Sequence, residues 1–155
     1  MKRYAKKIFY ISFLLYIFGL SAVLFFFRKP NLQIPIEAYF ADCGNAVPLK
    51  TIMRYFRYAC IKRDTESIWL AVSNIGGNLI LFLPMGFFLP CLFRALRRSD
   101  HTLCVIALTV ISCELLQGIF RIGVPDADDM LMNLLGALLG FGIAKVFGFC
   151  KKILS

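Results

Sequence analysis

One stretch of the chain decides the fold: residues 102–120 read TLCVIALTVISCELLQGIF. A helix needs about 20 apolar residues to cross a bilayer, so this run is long enough, and Glu114 is its only charged residue. Glu114 and Gln117 are three residues apart and therefore share one face of that helix. Because a polar group in hydrocarbon is costly unless it has a partner, this face predicts an internal polar site in a membrane protein.

Three further apolar runs are long enough to span a membrane. They are Ile8–Phe27 and Ile68–Phe93, which carry no charge, and Met130–Phe149, which carries only Lys145. The mean hydropathy is +0.73, and 59% of the 155 residues are apolar, above the roughly 45–50% of a soluble domain. The sequence therefore predicts an all-α polytopic membrane protein, a single domain over residues 1–155 with four transmembrane helices at about 8–27, 70–93, 102–120 and 130–149.

The 40 residues between the first two spans, Arg28–Ser67, contain an amphipathic pattern. Its apolar residues at helical spacing are Leu49, Ile52, Met53, Phe56, Ala59 and Cys60, whereas Lys50, Arg54 and Arg57 lie on another face. The pattern predicts a short helix over about residues 49–63. This helix either lies in the head-group plane, with Arg54 and Arg57 reaching lipid phosphates, or packs against the rim of the bundle.

The net charge, the cysteine spacing and the charges of the short loops indicate the partners and the orientation of the protein. The net charge of +9 fits anionic membrane lipids, and no soluble basic domain is present that would bind nucleic acid. The six cysteines have no metal or redox spacing, although Cys43 and Cys60 could pair on an oxidising side. The loop Arg94–Asp100 carries three Arg, whereas the short loop after Phe120 carries one Arg and three Asp. The positive-inside rule then places both termini in the cytoplasm of a cell membrane protein.

Each of the last three predicted spans carries a polar stripe. The stripes are Asn74 and Asn78 on the second span, Glu114, Gln117 and Arg121 on the third, and Asp129 and Asn133 in line with Gly136 and Gly140 on the fourth. All three stripes lie at a similar depth, so the least costly arrangement points them at one another. A purely structural cluster, in which Glu114 pairs with Arg121 or bonds to Asn78, is the alternative.

Two smaller features accompany the fourth span. Gly136 and Gly140 form a small-residue pair that lets another helix approach closely, either within the chain or from a partner protein. Asp126, Asp128 and Asp129 precede or begin this helix, where they either form a turn in which Asp128 or Asp129 caps the N-terminus or hold a divalent cation. The sequence has no paired nucleophile and base and no zinc or phosphate-binding motif, so we predict no catalytic residue, metal or cofactor.

The motifs resemble those of the VanZ-like family of bacterial membrane proteins. Residues 77–86 read GNLILFLPMG, residues 114–117 read ELLQ, and residues 126–129 read DADD, followed by Asn133, Gly136 and Gly140. Upstream, residues 45–49 read NAVPL, similar to the Asn-Leu-x-Pro-Phe stretch of the family, and Gly77 stands where some members carry Asp. The resemblance implies a cell-envelope protein associated with resistance to teicoplanin-type lipoglycopeptide antibiotics.

We therefore expect a protein that binds an amphiphile in a polar, outward-opening groove, the ligand being a lipid-linked envelope precursor, a lipid or the antibiotic. In this interpretation the polar groups are held by Glu114, Gln117 and Arg121, the mouth is lined by Asp126, Asp128 and Asp129, and the charged residues are oriented by Asn78 and Asn133. One alternative is an enzyme that modifies a polyprenyl or phospholipid head group, with Glu114 or an Asp as acid or base. Another is a structural protein that docks a second membrane protein through Gly136 and Gly140.

Overall fold

The structure, a computed structural model, describes residues 2–33, 35–39, 45–62 and 65–148. Its helices are α1 (Lys2–Ser21, continued by a π-helical segment, Ala22–Phe26), α2 (Ile36–Ala38), α3 (Lys50–Lys62), α4 (Thr65–Leu92), α5 (Ser99–Ile119) and α6 (Ala127–Val146). In this part of the chain, α1 with its extension, α4, α5 and α6 are long and apolar enough to cross a membrane. The four predicted spans and the short helix α3 are confirmed. Cys43, the predicted partner of Cys60, lies outside the described residues.

The four spanning helices alternate in direction. At one end of the bundle, the backbone N–H of Asn31, which follows α1, donates to the carbonyl of Arg121, which follows α5, at 2.8 Å. At the opposite end, Lys145 of α6 donates to the hydroxyl of Ser99, the first residue of α5, at 2.8 Å. The start of α1 and the end of α6 therefore lie at the same end. The helix α3 lies at the other, which we call the α3 end.

Glycine residues let α4 and α6 pack backbone against backbone. A Cβ atom at Gly136 or Gly140 would lie 2.0 or 1.9 Å from a carbonyl oxygen of α4, and one at Gly86 would lie 1.7 Å from the carbonyl oxygen of Ala137. These distances are far shorter than any van der Waals contact, so a larger residue would force the helices apart. The small-residue face predicted on the last span is thus covered by α4 of the same chain.

Aromatic rings attach α1 to α4. The ring centroids of Phe9 and Phe13 lie 5.7 and 5.8 Å from that of Phe88 on α4, within the range of favourable aromatic pairs. Tyr16 adds a directional contact by donating its hydroxyl to the carbonyl of Leu81 at 2.9 Å. Phe18, on the outer side of α1, remains exposed, as expected for a residue that faces lipid.

The helix α3 uses separate faces for the protein and for its surroundings. Its half-buried residues include Thr51, Ile52 and Tyr55, whereas apolar Met53 and Phe56 and basic Arg54 and Arg57 stay exposed. The sequence offered two arrangements for this helix, one in the head-group plane and one against the rim of the bundle, and the exposure of its faces is compatible with both at once. One face packs on the bundle, and the apolar and basic faces remain open to a membrane interface.

Substitution of the buried glycines tests the α4–α6 contact. We expect Gly136→Ala to lower the thermal unfolding temperature in detergent, because its Cβ meets backbone, with a destabilisation of about 1–3 kcal/mol or more. The matched control is Gly142→Ala on the same helix, where a Cβ meets nothing within 4 Å. Because Ala favours helices by about 1 kcal/mol over Gly, this control should be neutral or stabilising. Equal melting temperatures for the two variants would contradict the packing described.

Candidate functional site

Asp128, the second residue of α6, caps a helix other than its own. Its side chain is 1% exposed, and its carboxylate accepts hydrogen bonds from the backbone N–H groups of Leu49, of Thr51 at 2.7 Å and of Ile52 at 3.0 Å. Amides at a helix start have no helical partner, and the helix dipole favours negative charge there. The carboxylate therefore fixes the start of α3. The prediction that Asp128 lines an open mouth is wrong, because these bonds bury it.

We call these hydrogen bonds from the start of α3 to Asp128 the Asp128 clamp. The backbone of Leu49, one of the residues in the clamp, has an unusual conformation. Its φ angle is 67°, in the left-handed region that a branched side chain rarely adopts. The contact with Asp128 occurs at that same residue, through its N–H group. The chain therefore accepts an unfavourable conformation where it turns into α3.

Asp126 caps α6 and ties the preceding loop to the same network. Its carboxylate accepts from the N–H of Asp128 at 2.8 Å, from the hydroxyl of Thr51 at 2.6 Å and from the side-chain amide of Asn45 at 3.0 Å. Asn45 also pairs through its backbone, since its N–H donates to Pro125 and its carbonyl accepts from Ala127, both at 2.9 Å. The segment 45–49 and the acidic turn, two separate motifs in the sequence, thus bind each other.

The sequence left it open whether the aspartates at the start of α6 hold a divalent cation. The hydrogen-bond network gives two of them a different role. Asp126 and Asp128 accept hydrogen bonds from amides and a hydroxyl, as carboxylates at helix starts do. In the described ranges, no three His, Cys, Asp or Glu side chains are grouped so that they could hold a metal ion.

Asp129 brings α3, α4 and α6 together. Its carboxylate accepts a hydrogen bond from the side-chain amide of Asn78 on α4 at 2.6 Å. Tyr55 approaches from α3: burial, and then the negative charges of Asp129 and Asp126, raise the pKa of its phenol. The predicted meeting of the stripes of the second and fourth spans is therefore present in the structure.

The stripe of α5 faces the same region. Glu114 is 6% and Gln117 4% exposed, although most of the surface of α5 is apolar and open. The amide of Gln117 donates to the carbonyl of Leu24 at 3.1 Å, in the π-helical segment that ends the first span. Glu114 and Asp129 lie close enough for their charges to interact, and the guanidinium of Arg28 lies beside Gly123 and Gln117. We call the buried Glu114, Gln117 and Asn133, together with the half-buried Asn78 and Asp129, the polar cluster; the exposed Arg28 lies at its edge.

Asn133 contributes an unused acceptor to the polar cluster. Its side chain is 3% exposed, and its Oδ1 atom has no hydrogen-bond partner among the described residues. An unsatisfied buried acceptor costs about 1–3 kcal/mol. Buried polar atoms without a partner are rare in native folds, so this one marks a place where the cluster can accept a donor.

Arg121 and Asn74 do not continue the helical stripes as the sequence predicts. The helix α5 ends at Ile119, and Arg121 has a φ angle of 55°, so the i, i+7 relation to Glu114 is lost. Hydrogen bonds from Ile122 to Gln117 and from Arg121 to Gly118 form a Schellman motif, which ends the helix with Arg121 in a position usually held by Gly. Asn74 is exposed and bonds to its own helix, at the carbonyl of Leu70.

Sequence reasoning missed Arg28, which lies at the same end of the bundle, beside the loop between α5 and α6. The available signal was its position, because it is the first charged residue after the uncharged first span. Its guanidinium would lie 2.9 Å from a Cβ atom at Gly123, which places it over the loop between α5 and α6. Glycine at that position therefore leaves room for the cation.

The predicted phosphate-binding residues lie outside the polar cluster. Arg54 and Arg57 are exposed and, with Lys50, line a groove of about 480 Å³ on the surface of α3. Three cations within two helical turns create a positive surface suited to anions. Binding of phosphate by Arg54 and Arg57 stays a prediction.

The architecture defines a class, namely a multi-pass helical membrane protein with a polar network buried at one end of its bundle. Residues 13–148 match the family model described as VanZ/LLP1, and the chain belongs to this family. Over 75 residues it is 32% identical to Protein VanZ of Enterococcus faecium, a match that covers 48% of this chain and 44% of that protein. The chain thus spans less than half the length of this relative. No solved structure is significantly similar to this chain.

Removal of the Asp128 carboxylate tests the clamp on α3. We expect Asp128→Ala to expose the amides of Leu49, Thr51 and Ile52, which should increase hydrogen–deuterium exchange across residues 45–62 in detergent. Hydrogen bonds to a charged group contribute about 1.5–3 kcal/mol, so exchange should rise by about tenfold or more. The control is Asp100→Ala, which removes an exposed carboxylate paired with Arg98 at the opposite end. Unchanged exchange at the start of α3 in Asp128→Ala would contradict the assignment.

Proposed function

We propose that this VanZ-family membrane protein contributes to resistance against teicoplanin-type lipoglycopeptides by binding an amphiphilic molecule at the α3 end of the bundle. The amphiphile is a lipid-linked envelope precursor, a lipid or the antibiotic itself. Membership of the VanZ/LLP1 family supports the proposed role in the cell envelope. The polar cluster is the proposed binding site.

The observation that carries the proposal is the burial of Glu114 and Asn133 within two spans, with the half-buried Asp129 one helical turn from Asn133. Ionisable groups within membrane spans are costly and most often serve function. A purely structural cluster would use all of its groups, yet the Oδ1 atom of Asn133 has no partner among the described residues. The Oδ1 atom of Asn133 is an acceptor, so the cluster suits a ligand that offers N–H or O–H groups.

The proposed orientation places the α3 end outside the cell. Arg94, Arg97 and Arg98 lie in the short connection at the opposite end, before α5. Positive charges in short loops favour the cytoplasmic side. Both termini are then cytoplasmic, and the polar cluster lies near the outer surface, where lipoglycopeptides act.

Neutral isosteres of the cluster acids test the function. We expect Glu114→Gln and Asp129→Asn to return teicoplanin susceptibility towards that of cells without the protein. The loss of a charged hydrogen-bond acceptor weakens binding by about tenfold. The matched control is Asn74→Ala, because Asn74 also lies on a span but is exposed and outside the cluster. Protein amounts are compared by immunoblot. Full protection by both acid variants at normal abundance would refute the proposed site.

Cysteine labelling tests the orientation. In a background without the native cysteines, Gln33→Cys places an exposed thiol after α1, and Asp100→Cys places one at the start of α5. A membrane-impermeant maleimide added to intact cells should label the first variant and leave the second unlabelled until the cells are lysed. The reverse pattern would mean that the α3 end faces the cytoplasm.

A further inference from the structure

Two grooves of opposite chemistry meet at Pro48. The first is the basic groove of about 480 Å³ on α3, lined by Val47, Pro48, Lys50, Met53, Arg54, Arg57 and Tyr58. The second, of about 310 Å³, is lined only by apolar residues of α5 and α6 besides Pro48, namely Ala107, Val110, Ile111, Ala127, Met130, Leu131 and Leu134. We call the second one the apolar groove.

The basic groove has the geometry of a phosphate site. Lys50, Arg54 and Arg57 follow one another at helical spacing, so their charges project from one face of α3. Guanidinium groups bind phosphate oxygens through paired hydrogen bonds, and their attraction is strongest where water is partly excluded. The exposed side chain of Met53 borders these cations and supplies an apolar contact for the glycerol or chain region of a lipid.

The apolar groove lies where a hydrocarbon chain of a membrane lipid would lie. On α6 it runs from Ala127 to Leu134, which is about 10 Å along a helix at 1.5 Å per residue. The groove therefore begins at the first residue of α6, at the α3 end, and continues towards the middle of the span. On α5 its wall includes Val110, which lies one turn deeper than Glu114 of the polar cluster.

We propose that the two grooves together hold one anionic, phosphate-bearing membrane lipid, with its phosphate on α3 and one hydrocarbon chain between α5 and α6. The inference rests on the proposed function and names the class of amphiphile. Charge complementarity selects the phosphate, and the shared residue Pro48 places the two grooves next to each other. The order of the grooves also matches the depth of a lipid, because the cations lie at the interface and the apolar walls lie in the span. The Asp128 clamp on Leu49 keeps Pro48 at this junction.

Fluorescence quenching in vesicles tests the proposal. The single Trp of the chain, Trp69, is replaced by Phe, and Ile111→Trp places a reporter in the apolar groove. The protein is reconstituted in phosphatidylcholine that contains either brominated phosphatidylglycerol or brominated phosphatidylcholine. A second reporter, Leu131→Trp, probes the α6 wall. Phe18→Trp on the exposed side of α1 reports the surrounding lipid.

We expect brominated phosphatidylglycerol to be preferred over brominated phosphatidylcholine by about fivefold or more at the groove reporters, as one well-placed cation already provides about this factor. The preference should be absent at Phe18→Trp. The double variant Arg54→Gln with Arg57→Gln should remove it, whereas the same two positions changed to Lys should keep most of it. Arg98→Gln removes a cation at the opposite end and should have no effect.

Equal quenching by the two lipids at both groove reporters would overturn the proposal, and so would a preference that survives the Arg-to-Gln double variant. Circular dichroism and gel filtration verify that each reporter variant is folded. The two proposals fail in distinguishable ways. If Glu114→Gln keeps full antibiotic protection while the groove still selects the anionic lipid, the lipid site stands and the resistance site falls. If protection is lost and the groove shows no selectivity, the reverse holds.

Discussion

The backbone contact between α4 and α6 is the constraint on which the rest of the structure depends. Lipid tails are as apolar as the side chains, so burial alone does not draw two spans together, and close van der Waals packing has to do so. Gly86, Gly136 and Gly140 remove the side chains that would prevent it. Once the two helices touch, Asn78 reaches Asp129 at 2.6 Å, and a carboxylate that would be costly in hydrocarbon gains a donor. Packing of small residues and pairing of polar residues therefore stabilise the same helix pair.

A second constraint acts at the surface, where two helix starts share two carboxylates. Asp126 caps α6, and Asp128 caps α3, so the position of α3 is set by hydrogen bonds more than by apolar burial. The exposure of Met53 and Phe56 supports this view, since a helix held by its apolar face would bury them. A helix fixed in this way keeps its apolar and basic faces available to a membrane and to a ligand at the membrane surface.

The sequence predicts what depends on local spacing and fails where a contact depends on distant parts of the chain. The stripe of Glu114 and Gln117 follows from helical periodicity and is found in the structure. Arg121 is displaced because a Schellman motif ends α5 two residues earlier. The sequence gives no sign of this motif, since the position usually held by Gly is occupied by Arg121 itself. The positions of Arg28 and Asp128 could not be assigned, since the residues they lie against, Gly123 and Leu49, are more than 70 residues away in the sequence. Their roles depend on how the helices pack, which no periodicity in the sequence encodes.

Acidic and basic side chains lie on separate faces at the α3 end of the bundle. The carboxylates of Asp126 and Asp128 are occupied by amides and a hydroxyl from the start of α3, on the side of α3 that packs on the bundle. Arg54 and Arg57 project from a different face and remain exposed. These carboxylates therefore do not neutralise Arg54 and Arg57, although they lie on adjoining helices, and the two cations keep their positive potential. An anion is favoured outside, on α3, and hydrogen-bond donors are favoured inside, at the polar cluster. The ligand that we propose carries a phosphate, further donor groups and a hydrocarbon chain, one for each of these three surfaces, whereas a simple hydrocarbon or a free anion carries only one of them.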